Sequence, residues 1–223
     1  PFCGTTISSI YLDVLKDRLY CSAPESPGRR AAQTVIHRIL DGLLRLMSPI
    51  LCFTSEEAWQ HLYGQEEGND FSHSVFFALQ PDLADVPHDS ERDMRWQRLL
   101  NLRSAITRVL ETARRDKLIG LSLDAEVLLK AGPEWRQLVE ENRELLQELC
   151  IVSSLRLASA DDEAAFTAVE GVDDLQVAVQ AAPGSKCERC WCISPSVGED
   201  SSHPSLCSRC AAVVASVASL SGS

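Results

Sequence analysis

Two short stretches, Cys187-Glu-Arg-Cys190 and Cys207-Ser-Arg-Cys210, decide how the C-terminal segment of this 223-residue chain folds. Each is a C-x-x-C knuckle, in which a tight turn lets two thiolates reach one ion, and sixteen residues separate the two knuckles. Four cysteine ligands leave no open coordination position, so the spacing predicts one structural zinc ion and no catalytic one. Such an ion folds a segment that is too small to fold around its own apolar core.

Two neighbouring residues could replace one of these thiolates. Cys192 follows Cys190 by two residues, and His203 precedes Cys207 by four. The spacing inside each pair favours the knuckle cysteines as ligands and leaves Cys192 as a spare thiol. Nine cysteines, an odd number, and no secretory signal argue against a disulfide framework and indicate a reducing, cytoplasmic compartment. The other cysteines are expected to be buried free thiols: Cys3, Cys21, Cys52 and Cys150.

The net charge of −11 at first sight argues against a nucleic-acid partner, but the distribution of charge along the chain is the better guide to the partner. Residues 61–100 hold eight acidic and three basic groups, and residues 161–183 hold six acidic groups and no base. The remaining segments are neutral, so their arginines can still share one face. Because no stretch approaches about eighteen apolar residues, a membrane span is excluded. The chain opens on Pro1, and we interpret it as a piece of a longer protein.

Four stretches repeat apolar residues with a helical period and predict helices over residues 5–20, 29–47 and 90–117, and a short one that starts at Thr54, runs through Trp59 and ends at Gly64–Gly68. Ser48-Pro49 ends the second, and Thr54 with Glu57 matches a capping box that starts the third. The apolar stripes place Trp59 and Trp96 in the core. Residues 65–88 are expected to form an acidic loop with an extended piece at 74–79. Helices with short connections predict an antiparallel bundle and a mainly α fold.

After Gly120, which is expected to end the fourth helix, the pattern changes to alternation and predicts a strand over 121–129. A helix over 134–149 and strands over 150–157 and 175–179 complete a small α+β unit. The tail from residue 211 is small and polar, with an end expected to be disordered. The sequence thus predicts three domains, which are a helical domain over 1–120, an α+β junction domain over 121–182, and a zinc finger with its tail over 183–223.

Several motifs resemble one family in the same order along nearly the whole chain. Ile10-Tyr-Leu-Asp-Val-Leu-Lys-Asp-Arg-Leu-Tyr20 and Arg29-Arg-Ala-Ala-Gln33 resemble the helical anticodon-binding domain of bacterial-type isoleucyl-tRNA synthetases. Glu111-Thr-Ala-Arg-Arg-Asp-Lys117 is similar to the junction segment of that family, and Lys186-Cys-Glu-Arg-Cys-Trp191 with the second knuckle is similar to its zinc finger. Valyl and leucyl relatives share the helical domain, but the finger favours the isoleucyl family. Many members have a histidine where this chain has Cys192.

The resemblance implies a monomeric, tRNA-binding C-terminal portion of a class I isoleucine–tRNA ligase. Its helical domain and finger would hold the anticodon arm of isoleucine tRNA, while the catalytic and editing domains of the parent synthetase carry out ATP-dependent aminoacylation. The five histidines show no H-x-G-H arrangement, and the four lysines cannot form a K-M-S-K-S-type loop. This chain alone is therefore predicted to be inactive, with ATP used only through the missing catalytic domain.

Reading an anticodon requires planar side chains that stack on bases and cations that hold phosphates. For the basic cluster the alternative is structural: Asp17 and Arg18 could form an ion pair, and Arg29 and Arg30 could be a solvated face. Trp191 could either cover the metal site or present a stacking surface. The knuckle arginines are expected to project toward phosphates. The candidate RNA-binding residues are Lys16, Arg18, Arg29, Arg30, Gln33, Arg189, Trp191 and Arg209.

A second hypothesis is a free-standing zinc-finger adaptor that binds protein or nucleic acid, because formamidopyrimidine-type DNA glycosylases carry a similar finger. The first 120 residues discriminate between the adaptor and the tRNA ligase hypotheses, since they resemble no glycosylase domain. A third possibility, the remnant of a broken gene, would carry the same motifs.

Overall fold

The computed structural model describes residues 2–63, 74–81, 89–169 and 172–221. The chain forms two compact units, one made of Pro1–Ala23 with Ser90–Ser223 and the other of Pro24–Asp89. The predicted helix end at Gly64–Gly68, most of the predicted loop over 65–88 and the last two residues of the tail lie outside the described residues. Within the described ranges the chain is rich in helix and has a small mixed sheet.

The predicted helix over 5–20 is present as two consecutive helical segments. Phe2–Leu12 is wound as a π-helix, and α1 (Lys16–Cys21) is an α-helix. The helical winding carries through the turn between them, because the amide of Leu15 donates to the Tyr11 carbonyl and that of Leu19 to the Leu15 carbonyl. The helical prediction is confirmed. The apolar periodicity did not predict the change from π-helix to α-helix.

The second compact unit is built on helices α2 (Pro27–Met47) and α3 (Cys52–Tyr63). Helix α2 begins two residues earlier than predicted because the Ser26 hydroxyl accepts a hydrogen bond from the Arg29 amide at 3.3 Å. Helix α3 also begins early, and the predicted start at the Thr54–Glu57 capping box is wrong. The Ser55 amide already donates to the Leu51 carbonyl at 2.9 Å, so Thr54 lies inside the first turn.

The expected extended piece at 74–79 is instead a 3₁₀ turn, Val75–Phe77, which docks on α3. The Glu56 carboxylate accepts hydrogen bonds from the Ser74 hydroxyl at 2.8 Å and from the Val75 amide at 3.0 Å. Val75 is buried against Leu44 and Trp59, which form the core of this unit. The core position predicted for Trp59 is therefore confirmed.

Helix α4 (Ser90–Arg115) supplies the central stripe of the first unit. Its buried residues are Leu99, Leu102, Ala105, Ile106, Leu110 and Ala113. The core position predicted for Trp96 is wrong: its side chain is 43% exposed, because all of residues 90–97 lie on the surface before the buried stripe begins. The helix also ends before Gly120, at a left-handed Lys117 (φ 60°) that lets the Leu118 amide reach the Ala113 carbonyl at 2.9 Å.

Packed on α4 is a sheet with strand order β2-β1-β4-β3, formed by β1 (Ala125–Ala131), β2 (Ser154–Leu157), β3 (Thr167–Ala168) and β4 (Leu175–Ala181). Strand β1 pairs in parallel with β2 and antiparallel with β4. The predicted strand over 121–129 begins only at residue 125. Before it, Ser122–Asp124 form a 3₁₀ turn in which the Asp124 carboxylate accepts from the Leu121 amide at 2.7 Å.

The connection between β1 and β2 holds two helices where one was predicted over 134–149. They are α5 (Pro133–Glu141) and α6 (Arg143–Cys150), and they break at Asn142, whose φ is −128°. Because α6 runs to Cys150 and Ile151 takes a left-handed conformation, β2 starts later than the predicted residue 150. The helices and strands predicted for a small α+β unit are present, and they belong to the same compact unit as α4 and the knuckles.

The exposure of the single cysteines differs from the prediction. Cys21 and Cys150 are buried as expected, and burial raises the pKa of Cys150 to about 12. Cys3 and Cys52 are exposed, so the prediction is wrong for them. The small, polar tail forms helix α7 (Ser208–Ser221), which is anchored at its start by buried Cys210 and Ala211, and residues 222–223, where disorder was predicted, lie outside the described residues. Within the described ranges, no helix has both the length and the apolar character that crossing a bilayer requires.

Candidate zinc centre and RNA-facing residues

The four knuckle cysteines converge on one point. The sulfur atoms of Cys187, Cys190, Cys207 and Cys210 all lie within 4.8 Å of one another, and all four residues are buried. They form a small cluster of their own with Cys21, and Cys192 packs against it. The paired spacing in the sequence therefore corresponds to a real juxtaposition in three dimensions.

Short strands and a helix start position the four thiols. Strands β5 (Ser185–Lys186) and β6 (Ile193–Ser194) pair antiparallel and enclose the first knuckle. Inside it, the Trp191 amide donates to the Cys187 carbonyl at 2.9 Å, and a left-handed Trp191 (φ 66°) closes the turn. The second knuckle opens α7, where the Ala211 amide donates to the Cys207 carbonyl at 2.9 Å. In each turn the two cysteine side chains point toward the common four-sulfur cluster.

The spacing of the sulfurs fits zinc. Cys190 Sγ and Cys207 Sγ are 3.8 Å apart. A tetrahedron with zinc–sulfur bonds of about 2.3 Å has edges of about 3.8 Å, so these two atoms already stand at the separation that ligation of one ion requires. The donor set consists of four soft sulfurs in a closed, buried pocket, which suits a structural zinc ion.

The surroundings of the sulfurs favour thiolates in the first knuckle. Burial alone raises the pKa of Cys187, but amide hydrogen bonds from Cys190, Cys207 and Arg189 to its sulfur lower that pKa overall. The Cys192 thiol and the Arg209 guanidinium donate toward the Cys190 sulfur and lower the pKa of Cys190 to about 4. Burial raises the pKa of the other two knuckle thiols, so a bound cation would displace their protons.

The two alternative ligands lie outside the four-sulfur group. Cys192 is half-buried, and the raised pKa of its thiol reflects the proton that it directs toward Cys190. Asp17, Cys190 and Cys192 also lie within 4.8 Å of one another, but both carboxylate oxygens of Asp17 are engaged by Arg209 at 2.6 and 2.7 Å. The amide of His203 donates to Asp200. Among the described residues, neither alternative joins the four-sulfur group.

Both knuckle arginines, defined as Arg189 and Arg209, have partners within the chain. Arg189 donates to the carbonyls of Cys21 at 2.6 Å and Tyr20 at 3.3 Å. Arg209 forms the bidentate pair with Asp17. Sequence reasoning placed these guanidinium groups outward toward phosphates, and it missed Asp17 as a partner. Both guanidinium groups are thus partly occupied by contacts within the chain.

Trp191 is 58% exposed, so its indole does not seal the cysteine cluster. The Lys186 ammonium lies 5.5 Å from the centroid of the indole ring, within the range of a cation–π contact. Of the two interpretations left open for Trp191, the stacking surface agrees with this exposure. Lys186 was missed as a candidate, although its position directly before the first knuckle was a usable signal.

The basic residues of the first helix differ in how free they are. Lys16 is exposed and pairs with Asp13 at 2.7 Å, one turn back on the same segment. Arg18 forms an ion pair with Glu148 of α6. The alternative ion pair between Asp17 and Arg18 is not formed, because Arg18 pairs with Glu148 and Asp17 pairs with Arg209.

The remaining candidates, Arg29, Arg30 and Gln33, belong to the second compact unit and open helix α2. Arg29 is half-buried, whereas Arg30 and Gln33 are exposed. His37 and Arg38, two turns further along α2, are exposed as well. Sequence reasoning missed these two residues, although a spacing of seven and eight residues from Arg30 is the helical signal for one face.

The fold and the cysteine centre define a helix-rich protein that ends in a zinc-finger module. Comparison with protein families agrees. Residues 2–129 match the anticodon-binding domain of tRNA ligase, and residues 184–213 match a zinc finger found in FPG and IleRS. The chain belongs to the family of tRNA-ligase anticodon-binding domains.

Its relatives are named isoleucine–tRNA ligase. The chain is 50% identical to the protein of that name from Desulfotalea psychrophila, and 45% identical to the one from Syntrophomonas wolfei. Each match covers 96% of this chain but 23% of the relative. The match to the enzyme from Syntrophotalea carbinolica, at 44% identity, covers 22% of that relative. The chain thus spans less than a quarter of the length of these relatives.

Proposed function

We propose that this chain is the tRNA-binding C-terminal portion of an isoleucine–tRNA ligase and that it holds the anticodon arm of isoleucine tRNA. The observation that carries the proposal is the match of 96% of the chain to enzymes of that name, with an anticodon-binding domain over residues 2–129. The class I catalytic and editing domains of the parent synthetase would carry out the ATP-dependent aminoacylation. The adaptor hypothesis loses ground, because the family match extends far beyond the finger.

The finer architecture that goes with this proposal has three domains: an antiparallel helical bundle over 1–120, a junction domain over 121–182, and a finger with one zinc ion over 183–223. The protein would act in the cytoplasm as a monomer. The converging sulfurs and the 3.8 Å separation of Cys190 and Cys207 support the four-cysteine ligation.

Within the finger, we assign base stacking to Trp191. Its indole is exposed, and Lys186 beside it supplies a positive charge for a neighbouring phosphate. Because every base has a π face, such a platform binds unstacked anticodon bases with little dependence on their identity.

In the second compact unit, we assign phosphate contacts to the exposed face at the start of α2. Arg30 and Gln33 lie on it, with Arg29 beside them and Arg38 two turns on. Lys16 of α1 is a further exposed cation. The other three candidates, Arg18, Arg189 and Arg209, already hold partners within the chain, which are Glu148, Cys21 with Tyr20, and Asp17, so they rank below these exposed residues as phosphate contacts.

Titration with RNA tests this assignment. Trp191→Ala is expected to weaken binding of the isoleucine anticodon arm by about 5- to 150-fold, because losing one stacked base costs about 1–3 kcal/mol. Arg30→Ala should lower the slope of log affinity against log salt by about one unit, since one phosphate contact is lost. Both effects are measured by fluorescence anisotropy at two salt concentrations, with an arm of another anticodon for comparison.

Matched substitutions elsewhere on the surface control for the loss of a positive charge and for the loss of an exposed aromatic side chain. Trp96→Ala removes an exposed tryptophan from α4, and Arg136→Ala removes an exposed arginine from α5, so both should bind RNA like the wild type. Equal and salt-insensitive binding of both arms by every variant would overturn the RNA assignment.

The isolated chain is expected to show no isoleucine-dependent exchange of pyrophosphate into ATP, because it carries neither nucleotide-binding signature. The assay is run on purified chain with a full-length isoleucine–tRNA ligase as the positive control. Exchange activity that co-purifies with the chain and is lost in Leu102→Ala, a substitution in the buried stripe of α4, would contradict the assignment of chemistry to other domains.

A further inference from the structure

The knuckle arginines connect the cysteine centre to a distant part of the sequence. Each knuckle contributes one of them, and both end on helix α1, more than 160 residues earlier in the chain. We infer that the zinc centre positions α1, with Arg189 and Arg209 as the positioning residues, so that metal binding and the docking of α1 are one coupled equilibrium. The inference rests on contacts within the first compact unit and does not depend on RNA binding.

Arg189 holds the C-terminal end of α1. Its guanidinium donates to the carbonyls of Cys21 and Tyr20, at 2.6 and 3.3 Å, and also to Cys210 Sγ at 3.6 Å. These carbonyls belong to the last turn of the helix, where the backbone has no intrahelical donors and a cation is favourable. One side chain therefore contacts both a zinc-binding sulfur and the end of α1.

Cys21 completes this contact from the other side. It is buried in the cysteine cluster, and its thiol donates to the Arg189 carbonyl at 3.6 Å. The path of the backbone at Arg189 depends on Cys187 and Cys190, which flank it and would both ligate the ion. Ligation of both flanking cysteines by one ion would fix the Arg189 carbonyl and guanidinium more firmly than the hydrogen bonds of the turn do by themselves.

Arg209 holds the N-terminal half of α1 by a planar, bidentate pair with Asp17, at 2.6 and 2.7 Å. Arg209 lies between two ligands, Cys207 and Cys210, just as Arg189 lies between Cys187 and Cys190. The two arginines thus bind α1 at both of its ends. Zinc ligation of the cysteines on either side would fix the backbone position of each arginine.

Coupling of this kind is reciprocal. If zinc stabilises the docked helix, then weakening the docking must weaken zinc binding by the same factor, and typical coupling energies correspond to about 5- to 150-fold. Asp17 lies outside the finger and is not one of the four knuckle ligands, so its substitution leaves all four thiols in place. Because Asp17 stands within 4.8 Å of Cys190, the docking of α1 is measured separately from the zinc affinity.

The test measures the zinc affinity of the purified chain by competition with a chromogenic chelator of known affinity. Asp17→Asn should bind zinc about tenfold more weakly than the wild type, and Asp17→Glu, which can still pair with Arg209, should fall between them. The matched control is Asp13→Asn, which breaks the neighbouring pair with Lys16 and should leave the affinity unchanged. Equal affinities for Asp17→Asn and Asp13→Asn would overturn the inference.

Amide hydrogen exchange gives a second readout, which reports the docking of α1 directly and does not depend on the measured zinc affinity. With zinc bound, Asp17→Asn should raise the exchange of amides 19–21 and leave those of β1 at the wild-type rate. Removing zinc from the wild type should have the same selective effect. Protection of α1 that persists after zinc removal, or loss of protection in β1 to the same extent as in α1, would show that the finger does not position this helix specifically.

Discussion

Replacing Cys207 with serine is expected to abolish zinc binding and to unfold the finger, whereas Cys192→Ser should leave both intact. A serine hydroxyl is a poor zinc ligand at neutral pH, and a structural zinc site contributes about 10–16 kcal/mol of apparent binding free energy, so the small finger cannot compensate for a lost ligand. Cys192 lies outside the four-sulfur group and donates toward Cys190, a role that a serine hydroxyl can fill.

Metal analysis of the purified chains measures this effect, with about one zinc per chain expected for the wild type and for Cys192→Ser. Amide exchange over α7 reports the folding of the finger in the same samples. The four-cysteine assignment would be wrong if Cys207→Ser kept its zinc, and Cys192 would be a ligand if Cys192→Ser lost it.

Gly184→Ala is expected to weaken zinc binding by about 4 kcal/mol, about a thousandfold, although residue 184 touches no sulfur. Gly184 has a φ of 109°, and a Cβ added there would lie 2.3 Å from the Ser194 carbonyl carbon and 2.4 Å from the Pro195 nitrogen. These are backbone atoms at the end of strand β6, so they cannot move without opening the hairpin that encloses the first knuckle.

Gly198→Ala is the matched control, because Gly198 lies in the same finger and also has a positive φ, 96°. A Cβ at residue 198 would meet its nearest neighbour, the Pro204 carbonyl oxygen, at 3.9 Å, which is an ordinary contact. Gly198→Ala should therefore suffer only the conformational penalty of a positive φ, about 1 kcal/mol, which weakens zinc binding about fivefold. Competition with a chelator of known affinity measures both variants. Equal losses would show that the φ value, and not the close approach at Gly184, dominates.

The sequence was sufficient for the helices whose apolar positions repeat over several turns. Helix α2 and helix α4 lie where periodicity predicted them, because a long buried stripe leaves a strong pattern. Their ends were less predictable. Lys117, not Gly120, takes the left-handed position that ends the long helix, and the first turn of α3 precedes the predicted capping box.

Exposure of single residues was the weaker part of the prediction. Trp96 fits the apolar stripe of α4 in phase, yet it lies on the exposed first turns, since a helix can extend past the core that it packs on. Cys3 and Cys52 are exposed for the same kind of reason. Periodicity gives the direction in which a side chain points, but only the packed neighbours decide whether anything covers it.

By itself, the sequence determined which four cysteines converge and the order of the elements, because both depend on local spacing: two cysteines in one turn, and apolar residues at one period. The roles of the arginines were decided only by the tertiary structure. Arg189 and Arg209 look like free cations in the sequence, but their partners Cys21 and Asp17 lie more than 160 residues away along the chain. A contact between such distant residues leaves no local pattern, since it forms only when the folded backbone brings the finger against α1.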